Sequence, residues 1–235
     1  MQKQDLRDSV WDELEERGEA RFPFPPHGRI PNFAGAKEAA ERLAESDVWE
    51  GVDVIKANPD SPQRPVRRRA LEAGKVVYMA VPRLRDEKCF LKLDPDEIDD
   101  IDNATTISGS SELGEPVGLE EMEAIELIVS GSVAMADRGE RVGKGEGYSD
   151  LEFAVLREFG LVDDETTTVT TVHELQVVDE ESPTTPQDVP IDWIFTPNQT
   201  IRTEATDAKP AGIEWSILSD DRLDEIPILR RIEPN

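Results

Sequence analysis

The sequence predicts an α/β fold, a three-layer α/β/α sandwich on a mostly parallel, Rossmann-like sheet. Three observations predict it. Short apolar runs of strand length, partly β-branched, recur at 52–57, 75–81, 125–130, 167–172 and 191–196. Segments at 34–43, 65–73 and 149–159 fall between runs and carry apolar residues at helical spacing. Such alternation joins parallel strands by helical crossovers and places ligands beyond the carboxyl ends of the strands. At 235 residues, one domain spanning 1–235 is expected, with 197–235 as an irregular tail packed on it.

Each element has its own justification. Residues 3–17 form a helix, because Leu6, Val10, Trp11 and Leu14 share a face; Lys3 and Arg7, four apart, share another. Residues 22–31 are a proline-rich connector. The next helix turns Ala36, Ala39, Ala40 and Leu43 inward. Residues 65–73 end at Gly74, a helix stop, before the strand at 75–81. Residues 94–116 are acidic and dotted with Ser and Gly, which predicts a surface excursion. Ile125, Leu127, Ile128 and Val129 mark a buried strand. Leu151, Val155, Leu156 and Phe159 define the last long helix, closed by Gly160. In the tail, Trp215 and Ile226-Pro227-Ile228-Leu229 are expected to pin the chain to the body.

Composition excludes several classes of function. Asp and Glu number 52 against 26 Lys and Arg, a formal charge of −26 and a pI near 4.3. Nucleic acid needs counterion release by basic side chains, and anionic lipid repels such a chain, so neither is an expected partner. No apolar run approaches the ~20 residues of a membrane span. The first residues are charged and helical rather than a signal peptide, and Cys89 has no second cysteine to pair with, which points to the cytoplasm. The acidic residues are spread over the whole chain. That suits work in high salt, where the Debye length shortens to about 3 Å at 1 M; docking on a basic partner is the other use for such charge.

The most informative stretch is Arg141-Val142-Gly143-Lys144-Gly145-Glu146-Gly147-Tyr148-Ser149-Asp150. Alternate glycines let the backbone approach a ligand and aim successive N–H groups into a concavity for anions. The loop follows the strand at 125–130 and opens the helix at 149–159, which makes a phosphate site. It is neither a P-loop nor a G-x-G-x-x-G dinucleotide motif. His27 lies in the connector, and His173 reads equally as a buried structural residue or a pocket residue.

Residues 125–150 resemble the signature of the 5-formyltetrahydrofolate cyclo-ligase family, also called methenyltetrahydrofolate synthetase. Lys3-Gln4-Asp5-Leu6-Arg7 resembles its amino-terminal element. Val172-His173-Glu174-Leu175-Gln176-Val177 and Asp188-Val189-Pro190-Ile191-Asp192-Trp193-Ile194-Phe195-Thr196 resemble its carboxy-terminal block. Arg29-Ile30-Pro31-Asn32-Phe33, Asn58-Pro59-Asp60-Ser61-Pro62-Gln63-Arg64 and Gly212-Ile213-Glu214-Trp215 point further to the methenyltetrahydrofolate synthase domain-containing subgroup. The animal members of that subgroup carry an added RNA-recognition module, which the few residues after Ile232 would not hold.

The resemblance implies an ATP- and Mg²⁺-dependent ring closure of the reduced folate 5-formyltetrahydrofolate to 5,10-methenyltetrahydrofolate. It implies that Lys3, Arg7, Arg141, Gly143, Lys144, Gly145, Gly147 and Tyr148 bind ATP, with Arg141, Lys144 and Tyr148 also catalytic. Arg7, Asp60 and Gln176 would contact the folate, and Asp150 and Asp192 would hold Mg²⁺. Five positions depart from the family pattern. Ser149 replaces a tyrosine, Leu151-Glu152 follow the aspartate, Glu146 stands where a basic residue is common, and Asp60 replaces the folate-pocket glutamate. These departures leave an alternative expectation, a non-catalytic nucleotide- or pterin-binding relative acting through a protein partner.

Overall fold

The structure, a computed structural model, describes residues 1–180 and 182–234. The chain begins with helix α1 (Lys3–Glu16) and a short antiparallel pair, β1 (Ala20–Arg21) and β2 (Asn32–Phe33). It continues through α2 (Ala36–Ala44), β3 (Val54–Ala57), α3 (Arg64–Glu72), β4 (Val76–Ala80) and β5 (Phe90–Leu93). Two short helices, α4 (Ile101–Ala104) and α5 (Ile107–Leu113), lead to β6 (Glu115–Val117) and β7 (Leu127–Ser130). Then come β8 (Ala134–Ala136), β9 (Arg141–Val142), α6 (Tyr148–Glu158), β10 (Thr167–Thr171) and β11 (Val177–Val178). The last elements are β12 (Trp193–Phe195), β13 (Thr200–Arg202), α7 (Asp220–Glu225) and α8 (Pro227–Ile232).

The main sheet has eight strands in the order β13-β12-β10-β7-β3-β4-β5-β6. Its middle five strands pair in parallel, and antiparallel pairings occur only towards the edges. The pleat sorts side chains by parity, since successive residues of a strand face opposite ways. On one face Ile55, Val77, Leu127 and Val129 pack against Leu43 of α2 and Val66 and Leu71 of α3. On the other, Val54, Tyr78 and Ile128 meet Phe153, Val155 and Leu156 of α6. These two cores make the fold an α/β sandwich around a mostly parallel sheet. A separate cluster joins α1 to a small sheet, ordered β11-β8-β9, through Leu6, Val10, Trp11 and Leu14 against Val133, Ala134 and Val142.

Three features differ from the sequence reading. The glycine loop leaves β9, the last strand of a hairpin, rather than β7. The hairpin strands are only three and two residues long, too short to show a period. The acidic stretch 94–116 is partly ordered as α4, α5 and the start of β6. α4 packs Ile101 and Ala104 on the core while α5 leaves Ile107 and Leu113 exposed, and each is held at its start by a side-chain cap, Asp100 accepting from the Asn103 amide and Thr106 from the Gly109 amide. The tail is more regular than expected. β13 extends the sheet, and Ile226, Ile228 and Leu229 lie fully buried beside α6.

Ile226→Ala should therefore lower stability by about 2–5 kcal/mol, the usual cost of a cavity in a well-packed core. Urea unfolding checks it. A change below ~0.5 kcal/mol, the surface range, would show that the tail is a loose appendage.

Candidate functional site

The sheet opens at the carboxyl ends of β3, β4 and β7 into a cleft of about 540 Å³. One wall comes from the strand ends: Asn58, Asp60, Ala80, Arg83 and Gly131. The other is the glycine loop with Lys3 and Arg7 of α1. Thus α1, packed on the small sheet rather than the main one, carries its two basic residues to the loop.

The loop conformation needs glycine at two positions. Gly145 has φ +104° and Gly147, the residue before α6, has φ +70°. Both lie in the left-handed region that β-carbons disfavour. Among the described residues, the amides of Lys144, Gly145, Glu146 and Gly147 donate to no protein acceptor. Arg7 braces the loop from below: its Nε donates to the Gly143 carbonyl at 2.6 Å, and its guanidinium lies 3.4 Å from where a Gly145 β-carbon would stand. Burial lowers the Arg7 pKa, with Asp8 opposing.

Arg141 closes the loop. It is buried, its Nη1 donates to the Gly131 carbonyl at 2.9 Å, and its Nη2 meets both oxygens of Asp150 at 2.8 and 2.7 Å. Burial pulls the Arg141 pKa down, but Asp150, Asp188 and Glu152 together outweigh it and the net direction is up. Asp150 also accepts from the Val189 amide at 3.1 Å. Its neighbour in sequence, Asp188, takes Lys3 Nζ at 2.7 Å and lines the same cleft. Lys144 pairs with Glu146 at 2.8 Å. The unexpected acid of the loop therefore turns to the loop's own lysine.

On the opposite wall Asp60 is held through its backbone. Arg67, fully buried, donates Nη1 to the carbonyls of Asn58 and Asp60 and Nη2 to the Thr105 carbonyl. It has no carboxylate hydrogen bond among the described residues, and burial lowers its pKa to about 9. The Asp60 carboxylate accepts no hydrogen bond among the described residues. Burial pushes its pKa up, while Lys144 and Arg67 oppose that shift. Beneath the cleft, Lys56 of β3 and Glu152 of α6 form a buried ion pair, and Lys56 also donates to Asn58 Oδ1 at 3.1 Å.

Lys3, Arg7, Asp60, Arg141, Gly143, Lys144, Gly145, Gly147, Tyr148 and Asp150 line this one cleft. Asp192 and Gln176 do not. Asp192 precedes β12, at the amino edge of the parallel strands. Its Oδ2 takes the Thr168 amide (2.8 Å), the Thr168 hydroxyl (3.0 Å) and Lys209 Nζ (2.9 Å). It is a strand-end cap, and the carboxylate beside Asp150 is Asp188. Asp188, four residues before Asp192, lines the cleft together with Asp150. Gln176 is buried, donating to the carbonyls of Ser132 and Val133 and accepting from the His173 amide, which fastens the small sheet to the main one. His173 is structural: its Nδ1 accepts from the Leu175 amide and its ring meets Phe33 edge-on.

The raised Asp60 pKa has a consequence for stability. Below the ordinary aspartate value of 3.8, folded and unfolded chains both hold the proton and Asp60 is neutral in the balance. As pH rises from there to the raised folded value, the unfolded chain gives up its proton first, so this group lowers stability. Asp60→Asn should then stabilise the free protein at pH 7 and leave it unchanged near pH 3. Urea unfolding at both pH values measures this, and a loss of stability at pH 7 would contradict it.

Comparison with known proteins identifies the family. A profile of the 5-formyltetrahydrofolate cyclo-ligase family matches residues 1–197. Methenyltetrahydrofolate synthase domain-containing proteins of Bos taurus and Homo sapiens are 42% and 38% identical over 234 residues, 98% of this chain. The chain spans about three fifths of their length, 61% in both cases. The solution structure of Aquifex aeolicus 5,10-methenyltetrahydrofolate synthetase shares the fold, with a TM-score of 0.53 and 18% identity over 86% of this chain and 93% of its own. The chain belongs to the 5-formyltetrahydrofolate cyclo-ligase family.

Proposed function

We propose that this cleft binds ATP along the glycine loop and a reduced folate against Asp60, and closes 5-formyltetrahydrofolate to 5,10-methenyltetrahydrofolate. One observation carries the reading: among the described residues, loop amides with no acceptor stand with basic side chains on one wall, and a carboxylate with no hydrogen-bond partner stands on the other. In the reaction the formyl oxygen attacks the γ-phosphorus and ADP leaves. N10 then closes on the activated carbon, and phosphate departs with the former formyl oxygen. No nucleophilic side chain is required; the protein supplies position and charge neutralisation.

The residues divide this work. The loop amides and Arg7 support the phosphate chain. Among the described residues Lys144 is held only by Glu146, in an exposed pair worth about 0–1 kcal/mol, so a phosphate can take it over. Tyr148 and Arg141 border the same wall. Asp60 faces the ring nitrogens of the pterin, and the Arg67 clamp on its backbone keeps it there. Among the described residues no three metal-ligating side chains converge. Magnesium beside a nucleotide needs only one or two carboxylates, with waters and phosphate oxygens completing the shell. Asp150 and Asp188 fit that requirement. When bound, the ion supplies neutralisation of phosphate charge.

Purified protein in high KCl with 5-formyltetrahydrofolate, ATP and Mg²⁺ should develop methenyl absorbance, and omission of any one should abolish it. Absence of product while both substrates bind would refute the activity.

Two variants test the assignment of the walls. Gly145→Val meets forbidden backbone and the Arg7 guanidinium, so calorimetry should show at least a tenfold loss of ATP affinity in a folded protein. Asp60→Asn should weaken folate binding by about 1.5–3 kcal/mol, the range for a hydrogen bond to a charged group, with ATP binding unaltered. Reversed effects would mean the two walls are exchanged.

A further inference from the structure

We infer that Arg222, on the carboxy-terminal extension, is a positioning residue for the glycine loop, so that the extension completes the anion cradle. The inference rests on the reading of the loop as a phosphate site. Arg222 belongs to α7, beyond the last residue of the family match. Its guanidinium lies over the Tyr148 ring, 3.9 Å from the centroid. Its Nη2 donates to the Glu146 carbonyl at 2.9 Å. One planar group thus grips two positions on either side of Gly147, where the loop turns into α6.

The geometry suits arginine. A guanidinium can stack flat on a ring while donating in its own plane, which an ammonium cannot do. Gly145 and Gly147, both with positive φ, give the loop freedom that must be restrained if its amides are to converge on an anion. Arg7 restrains the first half through the Gly143 carbonyl; Arg222 restrains the second through the Glu146 carbonyl. Restraint of this kind lowers the ordering cost of binding.

The extension is anchored well enough to act this way. Lys209 bonds to Asp192 and to the Thr166 carbonyl, and the Ile213 amide donates to Glu158 at 2.9 Å. Ile226 and Leu229 are fully buried in the core that holds α6. Asp192 therefore contributes to the site at a distance, as one anchor of the segment that carries Arg222. Ser219 caps α7 by accepting from the Arg222 amide at 3.2 Å, which fixes the base of the side chain.

The experiment compares the full chain with Arg222→Met, which keeps apolar contact over the ring, and Arg222→Lys, which keeps the charge. Arg230→Ala is the control: Arg230 is exposed on the same extension and pairs with Asp224 and Glu233. Backbone ¹⁵N relaxation order parameters over 143–148 are read without ligand. Calorimetry with MgATP and, separately, 5-formyltetrahydrofolate is read on the same samples.

Both Arg222 variants should lower the order parameters of 143–148 from rigid values near 0.85 to below about 0.6, leaving the strand Thr167–Thr171 rigid as in the parent. Both should bind MgATP at least tenfold more weakly and the folate unchanged; Arg230→Ala should alter nothing. Parent-like order parameters in Arg222→Met overturn the inference. So does parent-like behaviour of Arg222→Lys, since charge alone would then suffice, or an equal loss in Arg230→Ala. Failure of the parent protein to bind MgATP, with the order parameters still responding to Arg222, refutes the phosphate reading and upholds the positioning role.

Discussion

The contact between Arg141 and Asp150 is the constraint on which the site depends. Arg141 lies in the two-residue strand β9 and Asp150 in the first turn of α6, so their bridge closes the glycine loop at its two ends. The second arm of Arg141 reaches the Gly131 carbonyl just past β7. One guanidinium thereby fixes the loop to the edge of the main sheet. Its side chain is almost wholly buried, at 5% exposure against 18% for Asp150. Removing either partner would strand a buried charge, a loss of about 3–5 kcal/mol in comparable pairs. Asp150 cannot be treated only as a prospective metal ligand, because it already holds the loop closed.

The same economy of buried charge runs through the rest of the cleft. Lys56 and Glu152 tie β3 to α6 beneath it, and Arg67 holds the Asp60 turn with carbonyls alone. A buried pair contributes little net stability, since desolvation offsets its Coulomb energy. Such groups make a single arrangement of the cleft walls cheaper than any other, because every alternative leaves a charge unpaired. Asp60 is the exception. Its carboxylate has no hydrogen-bond partner among the described residues, and burial pushes its pKa up. A group that lowers the stability of the free protein in this way is placed to gain from a ligand.

Much of this was legible in the sequence, and the limits have physical causes. Long periodic segments such as 3–17 and 149–159 declared themselves because a helix must bury one face. The glycine loop was visible because alternate glycines serve few other purposes. The β8–β9 hairpin that carries the loop was not, since strands of three and two residues show no period. The family signature points to Asp192, whereas Asp188, four residues earlier, is the one that lines the cleft, because the strand that follows puts Asp192 at the amino edge of the parallel strands. Arg222 carried no sequence signal at all: its partner, Tyr148, lies 74 positions earlier (222 − 148), and only tertiary packing brings them together.

Electrostatics then decide how such a chain can hold anionic ligands. The whole molecule carries −26, which would repel ATP and a folate dianion alike. The cleft is different. Lys3, Arg7, Arg83, Arg141 and Lys144 line it against Asp60, Glu146, Asp150, Glu152 and Asp188, five basic residues to five acidic. It is locally neutral before any metal binds, so the repulsion comes from the outer surface and acts over distance. Distance is what salt removes, since charges beyond a Debye length of about 3 Å at 1 M hardly interact. Short contacts within the cleft survive screening far better. An acidic exterior with a charge-balanced cleft is thus a workable arrangement in strong salt and a poor one in dilute buffer, where the outer carboxylates would slow the approach of any anionic ligand.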